Sequence, residues 1–190
     1  ATGLTSTSVF GVDDELVSTT NPDGTSASYA YDGDGRVLSV FDGGGDTTGY
    51  GYDVLGRRTT VTDPLGAVTT SAYDLAGRLV PVTRPDGGVT TNAYDDAGQL
   101  TATTSPTGGV TSTAFDADGR KTAVTDPDGN LTRYAYDDLS RQTVTTRADG
   151  STLVNAYDAA GQLTSYTDGA GDVTSYTYDL AGRLRTRTDP

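Results

Sequence analysis

Residues 89–94 alternate in character. Val89, Thr91 and Ala93 fall on one side of an extended chain, and Thr90, Asn92 and Tyr94 on the other. The division returns further on as Val110, Ser112 and Ala114 against Thr111, Thr113 and Phe115. A period of two sustained over about six residues predicts a strand roughly 20 Å long. Turn signals bound these segments. One is Asp-x-x-Gly, as from Asp74 to Gly77; the other is Asp-Pro-x-Gly, as in "DPLG" from Asp63 to Gly66. Pro presets the backbone angle at the first turn position, Asp binds backbone N–H groups beyond it, and Gly takes the positive φ that closes the turn. Strand, turn, strand, turn is one β-hairpin per repeat, and successive hairpins are expected to pair side by side.

The repeat is exact in length. Its markers are the pairs Tyr31-Asp32, Tyr52-Asp53, Tyr73-Asp74, Tyr94-Asp95, Phe115-Asp116, Tyr136-Asp137, Tyr157-Asp158 and Tyr178-Asp179, each 21 residues after the last. Gly3, Gly24, Gly45, Gly66, Gly87, Gly108, Gly129, Gly150 and Gly171 keep the same step. A third marker, glycine four residues after the aromatic, fails only at Asp14 and Ser140. Phe10-Gly11 is a degenerate copy one period upstream. The reading is a single array over 1–190, degenerate over about 1–30 and regular from 31, with some nine hairpins and about 18 antiparallel strands. Ala1 and Pro190 stand in the same phase, so the expectation is either an excerpt from a longer array or copies that abut end to end.

Alternation gives one face of small, weakly apolar residues and one carrying a ladder of rings, supplemented by Tyr29, Tyr50, Tyr134 and Tyr176. With 34% hydrophobic residues and Ser or Thr at many strand centres, neither face suits the core of a sandwich. The expected fold is all-β: one continuous antiparallel sheet, curved or spiralling because sheets twist. Its edges must close, coil onto the sheet or meet further repeats.

Charge narrows the function. Thirteen Lys and Arg against 26 Asp and Glu leave a net charge of −13, the wrong sign for phosphate backbones or anionic lipid. No apolar run approaches a membrane span. There is no Cys and no His, which removes disulfides, thiolate metal sites and the commonest general base. A Ser or Thr nucleophile would lack its usual partner, and nothing selects one aspartate pair for glycoside chemistry. No enzyme and no cofactor are expected. "DPDGNLTRYAYD" places Asp126, Asp128, Asn130 and Asp137 at calcium-loop spacing, but Leu131 stands where that loop needs Gly. Each Tyr-Asp pair has the parts of a sugar platform, a ring and a carboxylate. Eight copies favour the plainer role, in which the ring packs in the ladder and Asp caps the turn. Arg57, Arg78, Arg120, Arg141 and Arg183 are expected to pair with a neighbouring Asp across strands.

"YDLAGRL" at 73–79 and 178–184, "YDDAGQL" at 94–100 and "VTDPDGNLTRYAYD" at 124–137 resemble the Rhs/YD-repeat family over about residues 10–190. The resemblance implies a spiralling β-shell. Similar bacterial shells, in Rhs polymorphic toxins and insecticidal toxin complexes, encapsulate a C-terminal toxin; teneurins use a similar barrel in adhesion. It implies a structural segment of such a shell, or of an extracellular filament, that is secreted or at the cell surface. The partners it implies are further repeats, copies of the chain, toxin cargo or polysaccharide. The alternative is a carbohydrate-binding adhesion module using the ring face. The self-cleaving protease region that ends many bacterial shells has no counterpart here, and Asp63-Pro64, Asp126-Pro127 and Asp189-Pro190 sit at the ordinary turn phase.

Overall fold

After a four-residue first strand, strands of five and six residues alternate along the chain, because each is cut off by a turn that recurs with the repeat. The computed structural model describes residues 5–190, so Gly3 lies outside it. Two compact units divide the chain at 91/92. The first holds β1 (Thr7–Phe10), β2 (Leu16–Thr20), β3 (Ser26–Tyr31), β4 (Val37–Phe41), β5 (Thr47–Tyr52), β6 (Arg58–Thr62), β7 (Val68–Tyr73) and β8 (Leu79–Thr83). The boundary falls within β9 (Val89–Tyr94). The second holds β10 (Leu100–Thr104), β11 (Val110–Phe115), β12 (Lys121–Thr125), β13 (Leu131–Tyr136), β14 (Gln142–Thr146), β15 (Thr152–Tyr157), β16 (Leu163–Thr167), β17 (Val173–Tyr178) and β18 (Leu184–Thr188). All eighteen are antiparallel members of one sheet, and the described residues contain no helix. Within each unit, strands contact only their neighbours in the chain.

The two turns of a repeat share one geometry. At the Tyr-Asp turn, Asp74 N–H donates to the Arg78 carbonyl at 3.0 Å and Gly77 N–H to the Asp74 carbonyl at 3.0 Å. At the Asp-Pro turn, Asp63 N–H donates to the Ala67 carbonyl at 3.0 Å and Gly66 N–H to the Asp63 carbonyl at 2.9 Å. Each is a three-residue loop in which a type I turn is followed by a left-handed residue. Gly66 and Gly77 occupy that position with φ of 81° and 82°. Asp14 and Ser140 hold it at 62° and 61° without being glycine.

The hairpins that close at Tyr31, Tyr52, Tyr73, Phe115, Tyr136, Tyr157 and Tyr178 also carry a β-bulge that the repeat length does not announce. Tyr31 faces Val37 and Ala30 faces Ser39, so Leu38 is an extra residue in β4. The shift recurs at Tyr52, Phe115, Tyr136, Tyr157 and Tyr178. A bulge adds local right-handed twist and lets the sheet bend at a fixed place in each repeat.

No hydrophobic side chain is buried among the described residues. The two faces nonetheless differ. In β7 the ring-side residues Thr69, Ser71 and Tyr73 are half-buried, whereas Val68, Thr70 and Ala72 are exposed. β9 repeats the contrast, with Val89 left 40% accessible. On the ring side, β-branched residues face one another across strands, as at Val61 and Thr69 or Val124 and Thr132. Such pairs contribute roughly 0.2–1 kcal/mol each.

Candidate functional site

The row of Tyr-Asp turns along one end of the strands gathers most of the repeat's polar chemistry. Asp74 Oδ1 accepts the N–H groups of Ala76 and Arg78, each at 2.9 Å. Its Oδ2 accepts Arg78 Nε at 2.7 Å. One carboxylate thus satisfies two backbone donors and a guanidinium. The set recurs at Asp32 with Arg36, Asp53 with Arg57, Asp116 with Arg120, Asp137 with Arg141 and Asp179 with Arg183. The arginine N–H donated to Oδ1, with the guanidinium as a further contributor, holds each of these six carboxyls below the ordinary value. The expected pairing with a neighbouring strand's Asp is corrected here: the arginine pairs with the Asp of its own turn. The tight loop brings residues four apart within reach, and crossing to another hairpin is left to the other end of the guanidinium.

That other end reaches forward to the next repeat. Arg57 Nη1 donates to the Asp74 carbonyl at 3.2 Å, and Arg141 Nη1 to the Asp158 carbonyl at 2.9 Å. The guanidinium carbons of Arg36, Arg57, Arg120 and Arg141 stand 5.2, 4.8, 5.2 and 4.8 Å from the ring centres of Tyr52, Tyr73, Tyr136 and Tyr157. Each exposed stack of this kind is worth about 0.5–1 kcal/mol. The tyrosines bond backward. Tyr31, Tyr52, Tyr73 and Tyr136 donate their hydroxyls to the carbonyls of Leu16, Val37, Arg58 and Lys121 at 2.8 Å. Tyr157 and Tyr178 bond Gln142 and Leu163 in the same way. Each of these bonds joins two adjacent strands beyond their last paired residues, at the end away from their own Asp-Pro-phase turn.

The remaining marker residues lie as follows. Tyr94 ends β9 and Asp95 opens the turn to Gln99, whose N–H reaches Asp95 Oδ1 at 2.9 Å. Asp158 accepts Gln162 N–H at 2.8 Å. Phe115 keeps the ring position and has no hydroxyl to donate. Gly24, Gly45, Gly87, Gly108, Gly129, Gly150 and Gly171, like Gly66, all have positive φ at the opposite row of turns. Asp126 there accepts Asp128 and Asn130 N–H groups on Oδ1 and the Asn130 amide on Oδ2, so its carboxylate caps a turn. Among the described residues no three acidic side chains converge as metal ligands. The degenerate turn keeps the backbone with a different cast: Gly11 N–H donates to the Glu15 carbonyl at 2.8 Å, and the Glu15 carboxylate, not residue 11, caps the Asp13 N–H at 3.1 Å. The forward reach of arginine was the missed element. Its signal was present, since arginine follows the turn glycine at the repeat spacing, but linear spacing does not say which way a guanidinium points.

These features meet a recurrent pattern in known proteins. The RHS Repeat family matches residues 12–40, 31–68, 59–89, 73–110, 94–131, 115–152 and 157–190. No curated protein matches the chain. Among solved structures, the TcdB2-TccC3-Cdc42 crystal structure is similar with a TM-score of 0.62 at 17% identity, over 97% of this chain and 13% of that one. TcdB2-TccC3 without its hypervariable C-terminal region gives 0.59 at 18%, over 95% and 12%. The Photorhabdus luminescens Tc holotoxin pore, with a substitution in TccC3, gives 0.55 at 19%, over 96% and 12%. The chain therefore spans about an eighth of the length of the chains it resembles.

Proposed function

The chain belongs to the RHS repeat family, and on that premise we propose that it is a wall segment of a β-shell enclosing a toxin polypeptide. The observation that carries this reading is a sheet whose hairpins, among the described residues, are held by their neighbours within each unit and bury no hydrophobic side chain. Such a sheet can be lengthened repeat by repeat, and it offers an exposed Val- and Ala-bearing face to a passenger. The similarity to structures containing TcdB2 and TccC3 supports the same reading. The array acts as one structural element over 1–190, secreted or at the cell surface, without catalysis. Its Tyr-Asp pairs and turn glycines define the repeat rather than a ligand site, because their polar atoms serve the turns and the strand seams.

Electron cryo-microscopy of the natural polypeptide that carries this array tests the proposal. Chain density enclosed by a wall that includes these repeats supports it; a sheet exposed to solvent on both faces overturns it. The second reading, polysaccharide recognition, draws on the ring face. It requires glycan binding by the 190-residue chain that Tyr73→Ala and Tyr94→Ala abolish.

A further inference from the structure

One arginine of the Tyr-Asp row is only half used. Arg183 Nε donates to Asp179 Oδ2 at 2.8 Å, as its counterparts donate to their own turn aspartates. Its side chain is nevertheless 81% exposed, against 25–31% for Arg36, Arg57, Arg78, Arg120 and Arg141. The difference is the next repeat. Arg120 shows what that repeat supplies: the Tyr136 ring centre lies 5.2 Å from its guanidinium carbon, and the Asp137 carbonyl and Ser140 hydroxyl accept its Nη1 at 3.5 and 3.1 Å. Arg183 has none of the three among the described residues, and the whole of β18 is exposed. The first turn of the chain holds the matching parts. Phe10, Gly11 and Asp14 keep the spacing of Tyr136, Asp137 and Ser140. Phe10 is 59% exposed, in a strand exposed throughout. The Asp14 side chain has no partner among the described residues, and it stands at a φ of 62°, a conformation that favours glycine.

We propose that β18 accepts β1 of a second copy of this chain, edge to edge. What Arg183 lacks is what the second copy's first turn offers. Moving the pairing of β16 with β17, in which Ser165 faces Ser175, on by one repeat sets Thr186 opposite Thr7 of the second copy. Arg183 then covers Phe10 of the second copy and donates to its Gly11 carbonyl. It also meets the second copy's Asp14 carboxylate, where Arg120 meets only a hydroxyl. The strand edges supply backbone bonds to any strand, and the arginine and carboxylate choose between partners. The two surfaces differ, so the contact is head to tail. Each pair leaves one β1 and one β18 open, and association continues from both. It is independent of shell formation, and its failure would leave the wall-segment reading untouched.

The test is sedimentation equilibrium of the 190-residue chain from about 1 µM to about 1 mM. The expected result is a mean mass that climbs with concentration and climbs less in high salt. Asp14→Gly and Arg183→Gln install residues that other repeats carry at those positions, as at Gly77 and Gln99, so both variants should fold. Each should weaken association about tenfold. Asp14→Gly separates this effect from stability, because relieving the positive φ raises its denaturation midpoint while association falls. An equimolar mixture of the two variants is decisive. The Arg183 of one and the Asp14 of the other form one intact contact, so the mixture should associate as tightly as the unaltered chain and stop at pairs. A single-chain mass at every concentration overturns the proposal. So does association that either variant leaves unchanged, or a mixture no tighter than its components, which would mean that like edges pair with like.

Discussion

The left-handed turn position is where a single residue decides most. The backbone takes positive φ there whether the residue is Gly77, at 82°, or Ser140, at 61°. For a side chain that conformation costs roughly 1–2 kcal/mol. Ser140→Gly should therefore raise the midpoint of chemical denaturation, and Gly77→Ala should lower it, each by about 1 kcal/mol. The hydroxyl of Ser140 offsets a little of the first gain, because it accepts Arg120 Nη1 at 3.1 Å. The turn aspartates set the acid limit. Asp32, Asp53, Asp74, Asp116, Asp137 and Asp179 have depressed pKa values in the fold, chiefly through the arginine N–H that each accepts. Unfolded, such a carboxyl titrates near about 3.9, so the folded state binds fewer protons. Their contribution is complete above that value and drains away as pH falls through the lower folded values. Thermal melts should be flat in pH above about 5 and fall steeply below about 4, and Asp74→Asn should remove only one repeat's share of that dependence.

At the scale of the element, the tyrosine hydroxyl is a seam between strands that backbone pairing no longer holds. Tyr73→Phe removes the bond to the Arg58 carbonyl and should cost about 0.5–1.5 kcal/mol. Phe115→Tyr is the reverse experiment: the hydroxyl it restores has the Leu100 carbonyl at the equivalent position, and denaturation should show a gain of similar size. Strands, turns and their order were legible in the sequence, because period-two alternation and two Asp-Gly turn signals act locally and recur without interruption. The bulge was not. Leu38 is an extra residue against β3, yet it changes no spacing between markers and so leaves no trace in a repeat count. Arg57 shows the same limit for side chains: its Asp53 partner lies within the tight turn, while Tyr73 becomes its neighbour only after hairpins are laid side by side. Which face stays open also escaped the pattern. Val89 is exposed and Tyr94 half-covered, because cross-strand rings, threonines and guanidinium groups shield one another, whereas small side chains on the other face shield little.

At the scale of the whole molecule, stability is a sum over similar seams. Removing residues 74–94, one full repeat, joins Tyr73 to Asp95 and preserves both turns and both faces. That variant should keep its β-sheet circular dichroism and its resistance to protease. Removing one residue from the centre of β7 should not, since a shift by one sends every later side chain of the strand to the opposite face. The same measurements on both variants distinguish an array from a domain with a single indispensable centre.

The lack of any buried hydrophobic side chain among the described residues also governs how this chain responds to temperature. Heat capacity rises on unfolding mainly because apolar surface meets water, by about 12–15 cal/mol/K per residue in ordinary globular domains. Here much of that surface is wet before unfolding begins, so the increment should be well below that range. A small increment flattens the curve of free energy against temperature, weakening the usual decline on cooling. What holds the sheet is then chiefly enthalpic, in bonds between neighbours, and it changes little between a cold environment and a warm one.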